Sequence, residues 1–402
     1  MRPFDGRRVI LGVTGGIACY KAVSLARLLT QAGAVTDVIM TRSAREFVGS
    51  ITFEAVTGRP VAPDILDAGH ALAHIRLARE AELVLIAPAT ADLLARAAQG
   101  RADDLLTAIL LATRAPVLIA PAMNDAMWAH PLVLRNAHAL RDIGYHVLEP
   151  AIGPLAFGEG IGPGRLPEPE VLLAVAGRLL ETARGLAGRH IVVTAGPTRE
   201  ALDPVRYITN HSSGRMGVAI AAAAWRRGAT VTLVHGPLEV PVPFGVSAVA
   251  VTSTAEMRDG VAAALPSADA LVMAAAPADF RAATVGAQKI KKEQTAPQIA
   301  LEHADDILVS TRQHRKPGAV VMGFALETQD VEVHAVGKMH RKALDFIVAN
   351  DATEHGAGFG TDTNRVVILA SDGSREAPPM MSKTDLADLL LDRIFRTMEA
   401  RA

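Results

Sequence analysis

Twice along the chain a short apolar run breaks at a glycine turn and gives way to a helical pattern, and this repetition limits the possible folds more than any other feature. Residues 8–13 (RVILGV) run into Thr14-Gly15-Gly16-Ile17 and then into ACYKAVSLARLLTQAG, which closes at Gly33. The pattern restarts at 190–198 with HIVVTAGPT. Further apolar runs follow each opening: VTDVIM, ELVLIAPAT and APVLIAPAMN in the first half, then TVTLVHGP, ADALVMAAAPADF, AVVMGFALET and FIVAND in the second. Short apolar strands separated by helical stretches predict parallel sheets covered by helices on both faces. The expected fold class is α/β, with two Rossmann-like domains, each a mostly parallel sheet flanked by helices.

A chain of 402 residues is long enough for two or three cores, and its 50% hydrophobic content supplies them. Between the two patterns, residues 150–169 (PAIGPLAFGEGIGPGRLPEP) hold five glycines and five prolines, too many for a helix or an interior strand, so a loop or flap is expected there. The stretch PEVLLAVAGRLLETARGLAG has helical spacing and ends in Gly188, which places the expected domains at 1–187 and 188–402.

Lys and Arg total 41 against 42 Asp and Glu, a formal charge of -1, so no global attraction to nucleic acid or to an anionic membrane is expected. Any anion site must be local. The lone cysteine, Cys19, excludes an intramolecular disulfide and fits a reducing compartment. No leader-like start is seen and no apolar run approaches the ~18 residues of a membrane span, so a cytoplasmic protein is expected.

Neither glycine turn spells G-x-G-x-x-G, and the second strands end in Thr41-Arg42-Ser43 and His235-Gly236-Pro237 rather than in an acid for a ribose hydroxyl, which disfavours NAD. A helix N-terminus suited to a terminal phosphate remains, and so does a plain tight turn. Ligands of open α/β sheets sit outside the carboxyl ends of strands. There the chain places Ala89-Thr90-Ala91-Asp92, Pro121-Ala122-Met123-Asn124, Ala275-Ala276-Pro277-Ala278-Asp279 and Asn350-Asp351.

These segments carry a resemblance. GVTGGIACYKA, AHIRLAREAELVLIAPATADLLARAAQGRADDLL, APAMNDAMW and GPGRLPEP resemble the flavin-containing cysteine decarboxylases. VTAGPTREALDPVRYITNHSSGRMG, AAAPADF, KIKK, GFALET and IVANDATEHGAGFGTDTN resemble bacterial phosphopantothenate-cysteine ligases. Their order is similar to that of the bifunctional coenzyme A biosynthesis proteins. The resemblance implies a flavodoxin-like flavin domain followed by a ligase domain. It implies CTP-dependent joining of cysteine to phosphopantothenate through an acyl-cytidylate, then FMN-dependent decarboxylation to phosphopantetheine. A monofunctional ligase with a degenerate flavin domain and a regulatory flavin-binding subunit are the alternatives. The family habit of trimeric flavin domains and dimeric ligase domains implies a homo-oligomer, a dodecamer.

By the same resemblance the FMN phosphate lies near Gly15, Gly16, Ile17, Thr41 and Ser43, and the flavin ring near Ala89, Thr90, Ala91, Asp92 and Ala122. His74 matches the catalytic histidine and Asn124 the residue that holds the substrate carboxylate. His70, four residues before His74, lacks a third ligand and is not expected to bind zinc. In the ligase half, Asn210 matches the asparagine that turns over the acyl-cytidylate. Met273, Ala274, Ala275, Asp279, Lys289, Asp306, Ile307, Phe324, Lys338 and Lys342 match CTP contacts, with Lys291 and Lys292 adding to the charge around Lys289. Mg2+ is expected at Asp279, because a triphosphate in transfer usually carries it. Three departures stand out. Phe157 occupies the place of the flap cysteine that serves as acid in the final reduction, Ala304-Asp305 replaces Asn-Pro, and Pro277 replaces a valine.

Overall fold

A computed structural model describes residues 3–62, 72–290, 298–327, 331–351 and 360–401. The chain divides into two compact units, Met1–Thr182 and Ala183–Ala402. In the first, β1 (Arg8–Val13), α1 (Cys19–Gln31), β2 (Val35–Met40), α2 (Ser50–Thr57), α3 (Ala73–Glu80), β3 (Leu83–Ala89), α4 (Ala91–Ala98), α5 (Leu105–Ala112), β4 (Val117–Pro121), α6 (Asp125–Trp128), α7 (Pro131–Asp142) and β5 (His146–Val147) alternate along the chain. The strands form one parallel sheet in the order β2-β1-β3-β4-β5. Every residue of β3 is buried, as a strand covered on both faces requires.

The Gly/Pro-rich segment expected as a loop or flap is instead a hairpin, β6 (Ala151–Pro154) against β7 (Ile161–Arg165), in a two-stranded sheet of its own. Prolines are tolerated on such edge strands. Glycine is required where β7 crosses the end of β4, since a Cβ on Gly164 would lie 2.1 Å from the Met123 carbonyl oxygen. The following helix, α8 (Pro169–Leu180), has proline at its first position and stops well short of Gly188, where the sequence pattern placed its end.

The second unit contains β8 (His190–Ala195), β9 (Arg199–Ala201), β10 (Tyr207–Thr209), α9 (Arg215–Arg226), β11 (Thr230–His235), β12 (Ser247–Ala250), α10 (Thr254–Ala264), β13 (Ala270–Met273), β14 (Phe280–Ala282), β15 (Leu301–His303), α11 (Ile307–Ser310), β16 (Val320–Glu327), α12 (Val331–Lys342), β17 (Phe346–Asp351), β18 (Thr363–Asn364), β19 (Val367–Ala370), β20 (Arg375–Glu376), β21 (Met381–Ser382) and α13 (Lys383–Arg401). Its sheet runs β12-β11-β8-β13-β16-β17-β19-β20, parallel as far as β17 and antiparallel beyond. Strand residues alternate between two cores. Val193, Val272, Met322 and Val348 face α9 and α13, whereas Val192, Leu271, Val321 and Ile347 face α10, α11 and α12.

In the first unit α4, α5, α6 and α7 carry side-chain N-caps. Asp104 accepts from the Thr107 N–H at 2.8 Å and its carboxylate meets Arg96 at 2.7 Å. Burial alone would raise the Asp104 pKa, but the Thr107 donors and Arg96 outweigh it and hold the carboxyl below its ordinary range. A carboxyl with a lowered folded pKa stabilises the fold above its unfolded value of about 4, and that contribution is lost as pH falls through the folded value. Asp104→Ala should therefore lower the unfolding free energy at neutral pH by about 1–2 kcal/mol. Denaturant titrations should show the difference from the native chain shrinking toward pH 3.

Candidate active sites

In the first unit the strand order reverses between β1 and β3, and a ligand crevice belongs outside the carboxyl ends of those strands. Thr14 joins the two ends. Its buried hydroxyl donates to the Pro88 carbonyl at 2.8 Å and accepts from the Thr90 N–H at 3.0 Å. A Cβ on Gly15 would lie 2.5 Å from the Ser43 hydroxyl, so this glycine lets the Thr41–Ser43 turn close over the strand end, whereas Gly16 faces open space. The Thr41 and Ser43 hydroxyls lie 3.2 Å apart, and the Ala122 N–H donates to the Ala89 carbonyl at 3.0 Å. Gly15, Gly16, Thr41, Ser43, Ala89, Thr90 and Ala122 thus share one edge, with Ile17 exposed beside them. Hydroxyls, an open glycine and the first turn of α1 make a cradle that fits a terminal phosphate.

Other expected residues are placed more specifically. Ala91 opens α4, but the Asp92 carboxylate accepts from Arg96 at 3.0 Å, one turn along the same helix. Asn124 caps α6, its side-chain oxygen accepting from the Ala126 N–H at 2.9 Å, which leaves the amide N–H groups to donate elsewhere. His74 stands in the first turn of α3; this helix leads back into β3, so its first turn lies at the carboxyl edge. The His74 Nδ1 is buried without a hydrogen-bond partner among the described residues. His70 lies outside the described residues. Phe157 is fully exposed in the hairpin turn, where the Glu159 N–H donates to the Ala156 carbonyl at 3.0 Å.

In the second unit the glycines that the sequence spreads over residues 196–217 meet in space. Gly196 and Gly214 have φ of 77° and 76°, and a Cβ on Gly214 would lie 3.3 Å from the Gly196 nitrogen. A Cβ on Gly217 would lie 2.5 Å from the Thr194 carbonyl oxygen, so α9 rests directly on β8. These are the three tasks of a dinucleotide-type turn, namely the tight turn, the close approach and the helix–strand packing. The motif is absent as a string because β9, β10 and Asn210 are inserted between its first and second glycines.

Beside this turn, at the carboxyl edge of the sheet, lies a cavity of about 460 Å³. Met273, Ala274, Ala275, Asp279, Asp306, Ile307, Phe324, Lys338 and Lys342 all line it. Lys289 does not; it is exposed, next to Ile290, whose N–H donates to the buried Asp203 carboxylate at 3.0 Å. Lys291, Lys292 and residues 352–359 of the last quoted motif lie outside the described residues. Asp306 caps α11 and pairs with Lys342 at 3.0 Å. The Asp279 side chain takes no partner among the described residues, and no group of three His, Cys, Asp or Glu residues that could hold a metal is found among them. A cation at Asp279 would draw its remaining ligands from a bound molecule and water.

Asn210 donates its amide to the Pro277 carbonyl at 2.9 Å and more weakly to that of Ala276 at 3.4 Å. Carbonyls only accept, so the orientation of this amide follows from chemistry. The departures are absorbed by the main chain: Pro277 still offers its carbonyl, and the Ala304 N–H donates to the Asp279 carbonyl at 2.9 Å. Asp305, also in the cavity lining, pairs its carboxylate with Arg258. Sequence reading missed the other face of the cavity. There Arg215 meets Asp362 at 2.8 Å, the Asn350 amide donates to Asn364 at 2.8 Å, and Lys383 is buried at the start of α13. Burial, reinforced by Arg215, pushes the Lys383 ammonium below its usual range. Asn350 left a signal as a polar residue at a strand end, Arg215 and Asn364 lie within motifs that carry the family resemblance without standing out in them, and Lys383 left none.

Both halves are mostly parallel α/β units with a reversal of strand order, the layout of the flavodoxin-like and dinucleotide-type folds. Residues 2–180 match the family described as Flavoprotein, and residues 186–398 match that described as DNA/pantothenate metabolism flavoprotein C-terminal domain. The coenzyme A biosynthesis bifunctional protein CoaBC of Mycobacterium tuberculosis is 48% identical over 403 residues, covering 96% of each chain. That of Vibrio cholerae is 44% identical over 402 residues, covering 99% of this chain and 100% of its own. A crystal structure of a CoaBC C-terminal domain aligns with 36% identity and a TM-score of 0.47 over 54% of this chain and 99% of that one. The chain belongs to the CoaBC family of bifunctional coenzyme A biosynthesis proteins. The bifunctional expectation therefore holds, rather than a monofunctional ligase or a regulatory subunit.

The packing at Gly217 yields a test. Gly217→Ala should force α9 away from β8 and destabilise the second unit by about 1–3 kcal/mol. Trp225 fluorescence, read in a Trp128→Phe background during denaturant unfolding, should report the loss.

Proposed function

We propose that the second unit joins cysteine to phosphopantothenate using CTP, and that the first unit decarboxylates the product with FMN. The observation that carries the ligase reading is one cavity that gathers residues from eight separate segments beside the assembled glycine turn. A carboxylate is a poor electrophile. Attack of its oxygen on the α-phosphorus of CTP releases pyrophosphate and leaves an acyl-cytidylate, which the cysteine amine then opens with loss of CMP. Lys338 and Lys342 suit the phosphates as point charges, with Lys289 adding a third from the segment beside Asp203. Asp279 supplies one ligand to Mg2+. Asn210, which does not itself line the cavity and whose amide donates to the carbonyls of Ala276 and Pro277 in its wall, would turn an N–H from these carbonyls to stabilise charge on the attacked one.

In the first unit Gly15, Gly16, Ile17, Thr41 and Ser43 would hold the FMN phosphate, with Ala89, Thr90, Ala91, Asp92 and Ala122 near the ring. The β2-β1-β3-β4-β5 order supports this, because flavodoxin-like sheets of that order hold FMN at the β1/β3 reversal. Bound there, the flavin supplies the two-electron chemistry that thiol oxidation and the final reduction require. Asn124 directs its amide donors to the substrate carboxylate, and the unpartnered His74 Nδ1 is placed to exchange a proton. Phe157 has no proton to give, so Glu159, two residues further along the same turn, is the proposed acid for the reduction. Exposed Ile17, Tyr20 and Ile51 in the first unit, and Tyr207, Phe280 and Leu301 in the second, supply apolar surface for the homo-oligomer this reading includes. No helix among the described residues is long and apolar enough to cross a membrane, in keeping with a cytoplasmic site of action.

Incubation of the purified chain with phosphopantothenate, cysteine, CTP and Mg2+, followed by mass spectrometry, should yield phosphopantetheine. Products that stop at phosphopantothenoylcysteine would refute the decarboxylase half alone, and absence of both would refute the whole reading. Asn210→Ala should slow amide formation by about 10²- to 10³-fold.

A further inference from the structure

The wall of the ligation cavity between Ala274 and Asp279 lies beyond the regular pairing of β13, and its N–H groups turn toward the end of β8 and the residues that follow it. The Ala275 N–H donates to the Thr194 hydroxyl at 3.0 Å, that of Ala276 to the Gly196 carbonyl at 2.9 Å, and that of Ala278 to the Thr198 hydroxyl at 2.9 Å. The Thr198 and Thr254 hydroxyls lie 2.8 Å apart, and because Thr254 spends its single proton on Glu200, it is Thr198 that donates. Thr254 in turn donates its proton to the Glu200 carboxylate at 2.8 Å, and the same carboxylate oxygen takes the Thr254 N–H at 2.7 Å. A carboxylate only accepts, so Glu200 sets the direction of every bond in the chain.

All three side chains are buried: Thr198 is 0%, Thr254 2% and Glu200 6% exposed. A buried polar chain of this kind is tolerated only when each member is satisfied. The Thr198 carbonyl also accepts from the Thr209 hydroxyl at 2.7 Å, immediately before Asn210, whose amide rests on the Pro277 carbonyl at 2.9 Å. Thr198 therefore touches both sides of the arrangement, the wall through Ala278 and the segment that presents Asn210.

We infer that Thr198, Thr254 and Glu200 are positioning residues for amide formation, a buried relay that sets the Ala274–Asp279 wall against Asn210; this rests on the ligase reading of the cavity. None of the three lines the cavity, so the relay acts through the wall rather than on the reacting atoms.

The test uses the full chain with Thr198→Val, Thr198→Ser, Thr254→Val and the double valine variant. It measures kcat and KM for ligation, together with hydrogen–deuterium exchange of a peptide covering 274–279. Thr198→Val and Thr254→Val should each lower kcat by about tenfold to hundredfold while the KM for CTP stays within about threefold. The double variant should be no slower than the worse single one, because each breaks the same chain. Thr198→Ser should restore kcat, and exchange at 274–279 should quicken in the valine variants but not in β8 or β16. Unchanged kcat and exchange in either valine variant, full additivity in the double variant, or failure of serine to rescue would overturn the inference. If the native chain makes no phosphopantothenoylcysteine, the ligase reading fails on its own, and the exchange measurement still decides whether the relay holds the wall. If Thr198→Val does not fold, Thr254→Val, which keeps the main-chain N–H bond to Glu200, carries the test.

Discussion

The approach of α9 to the end of β8 is the contact on which the second unit depends. Without a Cβ at Gly217 the helix lies on the Thr194 and Ala195 backbone, and its first turn is brought to the edge where β8 and β13 part. That placement aims the free N–H groups and positive end of the helix at the cavity. It also fixes where the inserted β9–β10 segment returns, and hence where Asn210 meets the wall. In the first unit Thr14 does the corresponding work through its two bonds to the end of β3.

The two units apply one rule with different strand orders. The parallel part of the second sheet, β12-β11-β8-β13-β16-β17, is the 3-2-1-4-5-6 order of dinucleotide folds counted along that unit, whereas the first sheet is of the 2-1-3-4-5 kind. Each places its ligand edge where the order turns back. A formal charge of -1 for the whole chain coexists with a cavity that gathers Arg215, Lys338, Lys342 and Lys383 against Asp279, Asp305 and Asp306, so charge of both signs is concentrated at the edge.

Much of this was legible in the sequence where one residue type serves one continuous element. RVILGV, VTDVIM and FIVAND are strands with the very limits that the sequence pattern set, because short runs rich in β-branched and apolar residues are bounded by turn and helix signals on both sides. The hairpins were less legible. β9, β10, β14 and β15 are three residues each, too short for any period to show, and β6–β7 was hidden by glycines that exist for contact with Met123 and Asp125. The helical spacing that continued toward Gly188 did not predict the end of α8 at Leu180, since periodicity marks a face and not a terminus. The cavity residues in strand-end motifs were found. Lys383 was not, and Arg215 and Asn364 did not stand out within their motifs, because these elements come together only in space. The threonine relay was invisible for the same reason: its bonds join residues some fifty to eighty positions apart.

The central claim is that the glycine turn assembled from Gly196, Gly214 and Gly217 and the lysine pair on α12 form one nucleotide site. A crystal structure of the full chain with CTP and Mg2+ tests it most directly. The account predicts the nucleotide in the cavity at the β8/β13 edge, with its phosphates within reach of Lys338 or Lys342 and the cation at Asp279. Well-ordered CTP bound anywhere else, with this cavity left to solvent, would contradict it.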